Sequence, residues 1–93
     1  MTQQPCPTVN LNGTDGHELR RQLADAIDHL TKTFDVVAET APHGRDYQIG
    51  PWSYADARRA HEVRLARIST TILELEEIRR EVTRQVWQRR RGR

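Results

Sequence analysis

Two apolar stripes at helical spacing, unequal in length and separated by a proline- and glycine-rich connector, constrain this chain more than any other feature. In the first, Leu19, Leu23, Ile27, Leu30, Phe34, Val37 and Ala41 recur at steps of three and four, the signature of one face of an amphipathic helix. In the second, Tyr54, Ala57, His61, Leu65, Ile68, Ile72, Leu75, Ile78, Val82 and Val86 do the same, with no proline or glycine until Gly92. Residues 42–52 between them read Pro-His-Gly-Arg-Asp-Tyr-Gln-Ile-Gly-Pro-Trp, strong punctuation for a loop. The expected fold class is all-α: an antiparallel two-helix hairpin with an extended N-terminal leader, completed by oligomerisation.

The boundaries follow from local chemistry. Residues 1–13, with Pro5 and Pro7, form the leader. Asp15 followed by Glu18 resembles a capping box, so the first helix is expected over about 15–41. Pro42 ends it, because proline disfavours helical geometry in the residue before it and lacks an amide hydrogen. Ser53 caps the second helix, expected over about 53–89, and Asp56 complements its positive end. The hairpin therefore occupies residues 14–88, and residues 89–93 are a solvated basic tail of like charges.

The unequal lengths carry a further expectation. The first helix spans about 40 Å and the second about 55 Å at 1.5 Å per residue. With the connector as the bend, residue pairs across the hairpin sum to about 93, and everything past Ile78 overhangs. Yet Ile78, Val82, Val86 and Trp87 continue apolar into that overhang. The leader can cover about one turn of it. Two helices alone also leave the flanks of each stripe in water. Apolar residues make up 35% of the 93, short of an ordinary domain's roughly 45–50%, so a core shared between copies is expected, with those four residues at the interface.

Charge is uneven. Residues 1–46 hold four basic and seven acidic side chains, and residues 47–93 hold eleven and six. Arg79, Arg80, Arg84, Arg89, Arg90, Arg91 and Arg93 stand against Glu81 alone near the end. Glu74, Glu76 and Glu77 read as a solvated face paired with Arg79 and Arg80. The single Cys6 allows no internal disulfide. No secretory leader and no apolar run long enough for a bilayer is visible, so the expected location is the cytoplasm, with no membrane partner.

Catalytic chemistry has little footing. His17, His29, His43 and His61 stand in no metal-binding spacing, and no cysteine pair accompanies them, so no metal site is expected. Ser53 is a cap and Ser69 lies mid-helix. No glycine loop of the phosphate-binding type occurs. The chain is therefore expected not to be an enzyme and to need no cofactor. Two polar segments stand out instead. Asn10 to Asp15 precede a helix, where backbone amides suit an anion. His43, Arg45, Asp46 and Tyr47, with Arg58 and Arg59 one turn into the next helix, combine groups that suit a phosphate, ribose and base. Equally, Asn12 can cap the helix and Asp46 can lock Arg45.

The order Asn-x-Asn-Gly-Thr (Asn10 to Thr14), a helix, Pro-His-Gly-Arg-Asp-Tyr (Pro42 to Tyr47), a proline-containing turn and a second helix resembles a group of small uncharacterised proteins of tailed phages and prophages. The resemblance covers most of residues 8–86. It implies a viral accessory role in the host cytoplasm and transfers no catalytic residue. The pattern often carries a second tyrosine where Gln48 stands here.

The expected function is a non-enzymatic oligomeric binder, an anti-defence sponge sequestering a phosphorylated small molecule such as a nucleotide immune signal. Its pocket would lie between copies: Asn12 and Thr14 from one chain, His43, Arg45 and Tyr47 from another, with Arg58 adding charge. The alternatives are a helical adaptor that occludes a host protein, and an arginine-rich nucleic-acid binder. Only Trp87 interleaves the basic run, which disfavours a single-strand reader.

Overall fold

The computed structural model describes residues 4–9 and 15–91, with side chains to residue 88. Helix α1 spans Gly16–Ala38, a short 3₁₀ helix η1 spans Gly44–Tyr47, and helix α2 spans Tyr54–Arg91. No strand occurs among the described residues. The molecule is a rod of 68 × 26 × 19 Å, and none of its helices is long and apolar enough to cross a membrane among the described residues.

The helix ends follow the local rules. The Asp15 carboxylate accepts from the His17 amide at 3.2 Å. Glu18 does not complete a capping box; its carboxylate takes Arg21 and Gln22 instead. The last turn of α1 tightens, with the Thr40 and Ala41 amides bonding three residues back to Val37 and Ala38, and the Thr40 hydroxyl also donating to the Val37 carbonyl at 2.7 Å. Regular helix thus stops at Ala38, three residues before Ala41. The Ser53 hydroxyl accepts from the Asp56 amide at 3.0 Å and starts α2, which takes in most of the expected tail by running to Arg91. Gly50, at φ 129°, turns the connector into Pro51 where a side chain would be strained.

The core lies where the start of α1 meets the last third of α2. Val9, Val82 and Val86 are its buried apolar residues, with Leu19, Leu23 and Ile78 packed against them. Gly16 permits the approach: a Cβ there would stand 2.5 Å from Val86 Cγ2 and 3.3 Å from Val9 Cγ1. Residues 16 and 86 sum to 102, so the register is shifted from the expected 93. The shift moves the overhang to the other end. Residues of η1 pack beside the first turns of α2, where the Tyr47 and Tyr54 rings lie 6.5 Å apart. The connector thus fills α2's extra length.

The leader lies along α2. The Gln4 side-chain amide donates to the Glu74 carbonyl at 2.6 Å and to the Glu77 carboxylate at 3.1 Å. Gln85 accepts from the Val9 amide at 2.7 Å and donates to the Pro7 carbonyl at 3.1 Å. Five extended steps from Gln4 to Val9 cover about 17 Å, matching the roughly 16 Å between residues 74 and 85 of a helix. Val82, wholly buried, and Val86, 8% exposed, are therefore covered by their own chain. The reading that put them against another copy is corrected at that point, and Ile78 joins the same internal cluster. Trp87 alone of the four stays out, 56% exposed.

Candidate functional site

The same register that seats Gly16 on Val86 carries the first turns of α1 opposite residues 79–84. A groove of about 800 Å³ opens there, lined by His17, Arg20, Arg21 and Ala24 from α1 and by Arg79, Arg80, Thr83 and Arg84 from α2. Five guanidinium groups share one concavity. Arg21 is bonded on both sides, to Glu18 and to Asp25 at 2.9 Å, and its hydrogen bonds hold the Glu18 carboxyl below the usual range. Arg84 is gripped by Glu81 at 2.7 Å. The hydrogen bonds from Arg84 and then Gln85 lower the Glu81 carboxyl to about 2.

Arg20, Arg79 and Arg80 make no ion pair among the described residues. Glu76 and Glu77 stand one turn before Arg79 and Arg80 but do not pair with them, contrary to the sequence reading of a self-neutralised face. Five arginines against Glu18, Asp25 and Glu81 leave an excess of two positive charges. An open concavity with unpaired guanidinium forks can take a phosphate or carboxylate by paired N–H donors.

A second groove, about 590 Å³, lies on the other side of the Arg80–Arg84 ridge. The leader forms one wall through Gln4, Cys6, Pro7 and Thr8, and Glu77, Glu81 and Gln85 form the other. Glu77 and Gln85 are bonded to the leader and Glu81 to Arg84 and Gln85, which makes it a seam of the fold.

The residues singled out from the sequence are dispersed. Asn12 and Thr14 lie outside the described residues. His43 precedes η1 and its carbonyl accepts from the Asp46 amide at 3.0 Å. Arg45 is exposed and is not locked by Asp46, since no ion pair joins them among the described residues. Tyr47 is half-buried against Tyr54. Arg58 is turned to Glu62 at 3.4 Å, in a shallow hollow lined by Tyr54, Ala55, Arg58, Arg59 and Glu62 that excludes His43, Arg45 and Tyr47. No three His, Cys, Asp or Glu side chains converge on a metal position among the described residues. The chain matches no protein-family model, no curated protein and no solved structure with which it was compared.

The sequence reading missed Arg20 and Arg21 entirely. Arg21 sits on α1 at ordinary helical spacing to Glu18 and Asp25, which marks it and the adjacent Arg20 as solvated surface. Only the register sets them across from Arg79 and Arg80.

Proposed function

We propose that this protein is a non-enzymatic binding module that holds a phosphorylated ligand in the arginine groove between α1 and α2. The observation that carries this reading is the convergence of Arg20, Arg79 and Arg80, each without a carboxylate partner among the described residues, in one concavity of about 800 Å³. The finer architecture belongs to the same proposal: the helices run antiparallel, since the first residue of α1 meets Val86 near the end of α2. Copies of the chain associate through the half-buried remainder of the stripes, from Ile27 to Phe34 and from Leu65 to Leu75. In keeping with the resemblance to phage accessory proteins, the role is to sequester a phosphorylated host molecule.

Calorimetric titration with inorganic tripolyphosphate tests the reading. Binding is expected, weakening as salt screens the groove, and expected to be lost in the Arg79→Ala/Arg80→Ala variant while Arg58→Ala leaves it unchanged. No binding at low salt, or equal binding by the double variant, rejects the groove.

One observation favours a second reading. Ile49 and Trp52, 95% and 71% exposed, place apolar side chains on the connector, where a helical adaptor would meet a host protein. On that reading Trp52→Ala abolishes the biological effect and Arg79→Ala/Arg80→Ala does not.

A further inference from the structure

Trp87 is the large aromatic that the fold leaves uncommitted beside the arginine groove. Its neighbour Val86 is buried under Val9 and Gly16, whereas the Trp87 indole keeps 56% of its surface in solvent. Trp87 is not among the residues of that thin core or those packed against it. Its position on α2 is informative. Arg80, Thr83, Arg84 and Trp87 stand at i, i+3, i+4 and i+7, which puts them on one face of the helix. Three of the four line the groove, and the indole continues their row one turn beyond Thr83, about 6 Å along the axis. From Arg80 to Trp87 the separation is about 10 Å. At that end the groove is flanked by the start of α1, where His17 lines it.

Guanidinium groups take phosphates, and a flat π-face takes a base; the two set about 10 Å apart on one helix face form the two halves of a nucleotide site. The lining itself holds one small ring, the His17 imidazole, and its other members are arginines, Ala24 and Thr83, so the large π-face at the groove is the Trp87 indole. The excess of two positive charges suits a di- or triphosphate group rather than a long duplex, which needs many more contacts along its length.

We infer that the groove binds a nucleoside polyphosphate, with the phosphates on Arg20, Arg79 and Arg80 and the base stacked on Trp87. This rests on the anion-groove reading above and names its ligand class. Stacking is sequence-tolerant, because every base presents a π-face, so the site discriminates nucleotides from bare phosphates and not one base from another.

The test compares ATP with inorganic tripolyphosphate on the full chain. The sequence holds two tryptophans, so a Trp52→Phe background leaves Trp87 as the sole indole, and its fluorescence is expected to be quenched by ATP. ATP is expected to bind about tenfold or more tighter than tripolyphosphate, the stacking contribution expressed as affinity. Trp87→Ala should lower ATP affinity to that of tripolyphosphate and leave tripolyphosphate binding unchanged, while Trp87→Phe keeps most of the preference. Arg79→Ala/Arg80→Ala should weaken both. Equal affinity for the two anions, or an ATP preference that survives Trp87→Ala, overturns the base platform while the groove stands. Binding of neither anion overturns the groove reading and the nucleotide site together.

Discussion

Replacing Val82 by alanine tests where this protein keeps its stability. Val82 has no solvent-exposed surface and sits among Val9, Val86, Leu19, Leu23 and Ile78. The change removes two methyl carbons, worth about 1.6 kcal/mol in transfer at ~0.8 kcal/mol per buried carbon. The packed neighbours cannot fully collapse into the space, which raises the cost to roughly 2–3 kcal/mol. Against a total of about 5 kcal/mol, the low end for a chain of this size, that loss is large. Urea unfolding followed by far-UV circular dichroism should show the midpoint falling by about 1 M with an unchanged slope. Leu73→Ala is the control, because Leu73 is 59% exposed and its removal should stay within about 0.5 kcal/mol. Val9→Ala should cost less than Val82→Ala, and the double variant less than the sum, since the two side chains share one contact. The shift caused by Val82→Ala should be the same at low and high protein concentration, even if the midpoint itself rises with concentration through self-association. A midpoint loss that appears only at high concentration would show Val82 buried by another copy, and the internal core would be wrong.

Two further predictions concern the same end of the rod. Gly16→Ala should destabilise the protein by roughly 1–3 kcal/mol through overpacking on Val86, despite alanine's better helix propensity; thermal melts of Gly16→Ala with and without Val86→Ala should show partial rescue by the smaller partner. Glu81 has its carboxyl lowered to about 2 by Arg84 and Gln85, so its contribution is fully present above the ordinary value of 4.5 and is lost as pH falls toward 2. Melting temperatures of wild type and Glu81→Gln should differ by a constant amount above about pH 5 and converge below it; a gap that persists at the acid end contradicts the pairing.

The polar devices at the helix ends were legible because they act over three or four residues. Asp15 and Ser53 cap as their types and positions indicate, whereas α1 stops at Ala38, short of the Ala41 on which Pro42 acts. Arg45 and Tyr47 were singled out because their residue types suit a ligand, yet type does not carry position: Tyr47 turned to Tyr54, and Arg45 joined no described cluster. The groove escaped notice because its two halves lie some sixty residues apart, and each looks like ordinary helical surface alone.

Helical class, caps, breakers and the apolar stripes were determined by the sequence itself, since each depends on hydrogen bonds and side-chain neighbours within one turn. Register was decided only by tertiary structure. A stripe that repeats every three or four residues packs almost equally well after a shift of one or two turns, so the repeat does not say which residues face each other. Here the choice fell to single contacts: Gly16 lets Val86 approach, Val9 seals Val82, Gln85 holds the leader backbone, and η1 occupies the far end of α2. Those contacts set a pair sum of 102 in place of 93, a slip of about two and a half turns. That slip covers Val82 and Val86 from within the chain and brings Arg20 across from Arg79 and Arg80.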